Sequence, residues 1–383
     1  MSIENRTVIA WLNSEQSIGS RTIEKLINHF GTADAIWHNL NNEKKNITYI
    51  KEEVIEKLIE KKSNFEEKLL ERLKKEKVSI ITILDDVYPV KLRNIINAPS
   101  ILYCKGDIHC LNNLSIGIVG SRKATAYGKY CADKFARELS NLGITIVSGL
   151  AYGIDTIAHK STLLANGKTI GVLGCGINVF YPQKNRELYE AIENSGGAII
   201  TEYPFDMQPL SSNFPCRNRI ISGLSSGILV VEAQDKSGTL ITVTHAVEQG
   251  KDVFAIPGNI NSIFSIGTNK LIKDGAKLVL SVDDIIEELS EFNILNHNSS
   301  KKKINYDNLS EIEKDILNII QEGEKSCDDI ISLCNYPIGE ILSYLSILEM
   351  KSIIFQTSGK KFVLANWLIL VYTYMLVFNL GIL

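Results

Sequence analysis

Between Ser79 and Leu289, short apolar runs rich in β-branched residues alternate with stretches of helical pattern. This alternation constrains the fold more than any other feature of the chain. The runs are Ser79–Leu84, Ser115–Val119, Thr145–Val147, Thr169–Leu173, Ala198–Thr201, Gly227–Glu232, Asp252–Ile256 and Lys277–Leu280. Most are continuously apolar rather than alternating, which is how strands covered on both faces of a parallel sheet read. Helices of about a dozen residues intervene, such as Tyr127–Leu142 and Leu240–Gln249. Right-handed βαβ units and a doubly wound, Rossmann-like, mostly parallel sheet are therefore predicted over 76–292.

The flanks read differently. Residues 1–75 are helical in pattern. Ile23, Leu26, Ile27 and Phe30 share one face of a helix, with Ser20 as expected N-cap and Gly31 as expected C-cap. Gly-capped short helices resemble helix-hairpin-helix or SAM-like modules; a small helical packing domain is the plainer alternative. Residues 293–305 are polar and free of apolar anchors, as a linker is. Over 306–366 three amphipathic segments precede two short β runs, Ile353–Thr357 and Lys361–Leu364, the outline of a winged helix. Ser326 is the expected N-cap of the second helix. The third, Pro337–Met350, carries no Lys or Arg, so a protein-contact or packing role is expected rather than insertion into a DNA groove.

Trp367–Leu383 has no charged residue. It is at the short end of a membrane span and no basic residue follows it. A tail anchor, a partner-binding tail and an aberrant C-terminus are the readings, and no stable insertion in a membrane is expected.

Composition sets limits on function. Lys plus Arg number 41 against 44 Asp plus Glu, a net charge of −3, so any nucleic-acid site must be a local basic cluster. Seven cysteines, an odd count with no C-x-x-C pair, argue against a zinc ribbon or a disulfide framework. With no secretory signal after Met1, they indicate the cytoplasm.

The chemistry-bearing residues cluster at the predicted strand exits, where open α/β sheets bind ligands. Gly120-Ser121-Arg122 follows the second run: a tight turn, main-chain N–H groups and a guanidinium suit an anion. Gly149 and Gly153 punctuate the next exit, with Asp155 in a first helical turn and His159 one turn on; a cap and a packed histidine are favoured there over a catalytic pair. A third glycine-rich exit runs from Val172 to Pro182, followed by Lys184. Arg217, Asn218 and Arg219 lie near a helix start at Pro215, with an interfacial ion pair as the competing role for either arginine. Ser237-Gly238-Thr239 opens another helix, and Phe254–Asn259 ends the following run. No G-x-x-x-x-G-K-[ST] loop and no H-E-x-x-H pair occur. No metal, cofactor or catalytic residue is predicted.

Taken in order, these stretches resemble the DNA-processing protein DprA (Smf) family. The likeness is carried by Asp86–Arg93, Val119–Arg122, Ser148–Asp155, Gly174–Pro182, Phe214–Ile221, Val231–Ala233, Ser237–Thr242 and Ala255–Gly258. It implies a Rossmann-like core that dimerises and holds single-stranded DNA by its backbone phosphates. It also implies loading of the RecA recombinase in natural transformation and recombination, without enzymatic turnover. By that match Ser121, Arg122, Arg217 and Arg219 are expected at phosphate, with Gly120, Asn218, Ser237, Gly238 and Thr239 beside them. Lys184 is displaced by Gln183 from the basic position that usually follows Tyr-Pro. Tyr181 and Phe214 either stack on bases or belong to the core. The alternative is a nucleotide-processing enzyme of the phosphoribohydrolase type, but Val243 stands where that signature has its glutamate.

Overall fold

The apolar runs pair into a nine-stranded sheet of order β1-β2-β6-β5-β4-β3-β7-β8-β9. In the computed structural model, which describes residues 4–289, 309–321, 323, 325–350, 353–356 and 361–364, the chain divides into two compact units, Met1–Leu289 and Ser290–Leu383.

The first unit opens with five helices: α1 (Asn5–Asn13), α2 (Ser20–Phe30), α3 (Ala33–Asn39), α4 (Glu52–Lys62) and α5 (Phe65–Glu76). Strand β1 (Ser79–Thr82), the short α6 (Val90–Arg93) and β2 (Ile101–Gly106) follow. Then come β3 (Ser115–Val119), α7 (Ala126–Asn141), β4 (Thr145–Ser148), α8 (Ile154–Leu164), β5 (Thr169–Val172), α9 (Arg186–Asn194) and β6 (Ala198–Thr201). The unit ends with α10 (Asn213–Leu224), β7 (Gly227–Val230), α11 (Thr239–Glu248), β8 (Asp252–Ala255), α12 (Ile266–Lys273), β9 (Lys277–Leu278) and α13 (Asp283–Ile286). From β6 through β9 every pairing is parallel, as predicted. Strand β2, which none of the expected runs includes, pairs antiparallel with both β1 and β6.

Successive residues of these strands point to opposite faces and both faces are buried. Ile80, Ile101, Tyr103 and Ile199 enter one apolar cluster; Ile81, Leu102, Cys104 and Ile200 enter the other. That is the pattern the continuously apolar runs require. The first cluster also contains Trp11, Leu12, Ile23, Leu26 and Leu58 from the N-terminal helices, and Trp11 Nε1 donates to the Leu58 carbonyl at 2.7 Å. The N-terminal helices α1, α2 and α4 thus share an apolar core with the sheet, within the one unit that ends at Leu289. Gly31 ends α2 as expected, with φ 81°. Ser20 does not cap it: Gly19 holds the cap position and the Ser20 hydroxyl accepts from the Ser100 N–H at 3.1 Å, tying the helix to the start of β2.

In the second unit α14 (Glu311–Gln321), β10 (Lys325–Ser326), α15 (Cys327–Leu333), α16 (Ile338–Met350), β11 (Ile354–Gln356) and β12 (Lys361–Leu364) follow the helix–helix–helix–hairpin order of the sequence reading. The addition is β10, which pairs with β12 in a three-stranded antiparallel sheet. Ser326 caps α15 reciprocally with Asp329. The expected linker 293–305 and the apolar segment 367–383 lie outside the described residues. Among the described residues no helix is long and apolar enough to cross a membrane.

Candidate nucleic-acid interface

The sheet order reverses direction between β3 and β7, and the crevice beyond their carboxyl ends is where doubly wound sheets bind ligands. A cavity of about 750 Å³ opens there. Gly120–Lys123 from the β3–α7 turn form one lip and Lys236–Thr239, leading into α11, form the other. Asp155 of α8, Tyr181, and Phe214, Arg217 and Asn218 of α10 also line it. Three helices, α8, α10 and α11, therefore begin at one cavity, and each turns the positive end of its dipole toward it.

Local packing fixes the first lip. Gly153 has φ 79°, and a Cβ there would lie 2.2 Å from the Ser121 carbonyl oxygen. Only glycine lets the β4–α8 turn press on the Ser121–Arg122 backbone, where the Ile154 N–H donates to Ser121 O at 3.2 Å. The Ser121 hydroxyl accepts from the Lys123 N–H, and Arg122 is left exposed, with no carboxylate in ion-pair range among the described residues. Farther along the turn, buried Glu232 accepts from the Thr125 N–H at 3.0 Å and from the Thr125 hydroxyl, anchoring the start of α7. On the second lip the Ser237 hydroxyl accepts from the Thr239 N–H at 3.2 Å.

The floor is a buried arginine. Arg217 is 4% exposed, and its Nη1 donates to the carbonyls of Gly149, at 2.8 Å, and Val172, at the ends of β4 and β5. Its Nε donates to Asn218 Oδ1 at 3.1 Å. Burial pulls the Arg217 pKa down, and the charge of Asp155 opposes that. Asp155 is itself buried; its Oδ2 accepts from the N–H groups of Gly149 and Ala151 at 3.2 and 3.4 Å. Burial raises its pKa to about 6 against the pull of Arg217. His159 shares no hydrogen bond with Asp155. Its Nδ1 lies 2.7 Å from the Thr169 hydroxyl, and burial lowers its pKa to about 3, so it packs as a neutral ring. The guanidinium groups of Arg122 and Arg217 each lie 5.8 Å from the Phe214 ring centroid. Tyr181, 43% exposed, tilts over Phe214 at 5.3 Å. Both rings face the cavity rather than the core.

Eight of the ten predicted site residues meet here: Gly120, Ser121, Arg122, Arg217, Asn218, Ser237, Gly238 and Thr239. Two do not. Arg219 points away, its Nη atoms donating to both Glu202 oxygens at 2.5 and 2.7 Å and its Nε to the Asn97 carbonyl. Helical geometry requires this, since residues two apart on a helix project in nearly opposite directions. Lys184 is exposed in a short 3₁₀ turn, Gln183–Asn185, outside the cavity lining. Lys123, Lys236 and Asp155 line the cavity although the sequence reading did not place them at phosphate; adjacency to Arg122 and Ser237 was the available signal for the lysines.

Val243, at the place of the phosphoribohydrolase glutamate, is buried in the second apolar cluster. The segment Gly223–Gly227 has G-x-S-x-G spacing, but it joins helix α10 to strand β7. Its Ser225 is fully buried and donates to the Ile221 carbonyl, so it is no exposed nucleophile. Among the described residues no group of three His, Cys, Asp or Glu side chains could hold a metal ion.

Residues 79–290 match the family model of DNA recombination-mediator protein A. The chain belongs to that family. Protein Smf of Escherichia coli is 45% identical over 204 residues, which are 53% of this chain and 54% of that protein, so the match spans about half of the relative's length. The X-ray structure of DNA processing protein A from Streptococcus pneumoniae superposes with a TM-score of 0.63 at 35% identity, covering 75% of this chain and 99% of that one. DNA processing protein A from Helicobacter pylori, solved for its single-stranded DNA binding mode, gives a TM-score of 0.51 at 30% identity, over 58% and 96%. The family core coincides with the sheet and its cavity.

Proposed function

We propose that the cavity binds single-stranded DNA through backbone phosphates and that the protein acts as a recombination mediator, loading RecA recombinase onto the bound strand. The observation that carries the DNA reading is the convergence of Arg122, Lys123, Arg217 and Lys236 with three helix starts at one cavity. Main-chain N–H groups and guanidinium forks recognise phosphate without reading sequence, as a mediator requires. Tyr181 and Phe214 offer ring faces on which bases of any sequence stack. The family relationship supports the RecA partner, a homodimer and a cytoplasmic, non-enzymatic role.

The test is a salt series. Affinity for labelled single-stranded oligonucleotides falls as salt rises. Arg122→Ala weakens binding of all sequences alike and reduces the log–log slope by about 0.7. An unchanged slope and affinity in that variant would remove Arg122 from the phosphate site.

A further inference from the structure

A carboxylate is an unexpected neighbour in an anion site. Among the described residues Asp155 is the only acidic one lining the cavity, against the cations Arg122, Lys123, Arg217 and Lys236. Its Oδ2 is occupied by the N–H groups of Gly149 and Ala151. Its Oδ1 accepts no hydrogen bond from the described residues. No ion pair joins it to Arg217 among the described residues, where Arg217 Nη1 donates to Gly149 O and Val172 O and its Nε to Asn218. One acceptor oxygen thus remains available at a cavity otherwise furnished with donors.

Two oxygens that both carry negative charge repel unless a proton lies between them. An internal phosphodiester has no proton to supply. A phosphomonoester does, since its second ionisation falls at about pH 6. Its remaining oxygens still accept from the exposed guanidinium of Arg122, which lines the same cavity.

We propose that the cavity takes a protonatable phosphomonoester, the terminal phosphate of a DNA strand or that of a free nucleotide, with its O–H donated to Asp155 Oδ1. This rests on the reading of the cavity as a phosphate site. Asp155 then acts as a selector: it favours anions that still carry a proton and penalises those that do not. Atoms and charge balance without any covalent step, because one hydrogen bond forms and no bond breaks.

The full chain is tested by fluorescence anisotropy with oligonucleotides of one sequence carrying a 5′-phosphate, a 3′-phosphate or neither. Inorganic phosphate, deoxynucleoside monophosphates and sulfate serve as competitors. A terminal phosphate is expected to tighten binding about tenfold, or about 1.4 kcal/mol. Phosphate and nucleotides compete, whereas sulfate, fully ionised at neutral pH, does not. Preference for one phosphorylated end assigns the ligand to strand termini. Displacement by nucleotides without any end preference assigns it to the free nucleotide. Equal competition by phosphate and sulfate, with no end preference, overturns the inference. Asp155→Asn is expected to bring phosphate and sulfate to equal competition, and wild-type discrimination in that variant also overturns it. Should the variant not fold, the phosphate-to-sulfate ratio of the wild-type chain decides alone. The DNA-binding reading fails separately, if the unphosphorylated oligonucleotide shows no salt-dependent binding.

Discussion

Two arginines on α10 show how differently one residue type is used across a single helix. Arg217 faces the cavity and is held by main-chain carbonyls at the ends of β4 and β5; among the described residues it forms no ion pair, although the charge of nearby Asp155 acts on it. Arg219 faces the opposite side and is closed in a two-pronged pair with Glu202. The first is a cation whose charge remains available to a ligand. The second is neutralised within the fold. Charge that is spent on a carboxylate does not attract phosphate, so the side of α10 that carries Arg217 is the one proposed to meet DNA.

Substitution of Arg217 breaks the comparison most severely. Arg217→Ala removes charge-assisted hydrogen bonds to two buried carbonyls. A stability loss of about 3 kcal/mol is expected in denaturant titration, together with loss of oligonucleotide binding. Wild-type affinity in a folded Arg217→Ala protein would show that the floor takes no part in binding. Arg219→Ala leaves Glu202, whose side chain is 13% exposed, without its partner, at an expected cost of about 2 kcal/mol, discounted from the fully buried case. Its signature is an unchanged salt slope. The double variant with Glu202→Ala recovers part of that loss, and a slope change in either variant would place Arg219 on the DNA. Arg122→Ala inverts the pattern: stability stays within about 0.5 kcal/mol while binding weakens.

The smallest effect is that of pH. Asp155 has a folded-state pKa of about 6, raised by burial. As pH falls through that value the cavity loses a negative charge, so affinity for unphosphorylated single strands rises severalfold. The phosphodiester stays ionised, and His159, lowered to about 3, stays neutral over this range. A flat profile between pH 5 and 7 would remove Asp155 from contact with the anion; Asp155→Asn is expected to give that flat profile.

Much of the sheet was legible because burial on both faces writes itself as continuous apolar runs; β3 and β6 have the predicted bounds. β2 escaped because an antiparallel strand at the rim of a parallel sheet has no βαβ spacing to announce it. Ser20 misled because a serine before a helix can serve another segment, here the Ser100 N–H. The lips were legible from glycine, serine and arginine at strand exits. The fate of Arg219 was not, since its partner Glu202 is 17 residues away in sequence and on another element. In sequence Asp155 looks like a cap because it sits in a first helical turn. Its second oxygen becomes significant only once α8, α10 and the β3 turn share a cavity.

The two outermost strands of the nine-stranded sheet are both short. β1 has four residues and β9 two. A neighbouring chain seeking to extend the ladder would find little length to pair with on either side, which is how natural sheets avoid sticking edge to edge. Association of this unit with other proteins or with a second copy therefore falls to side-chain surfaces rather than to added strands.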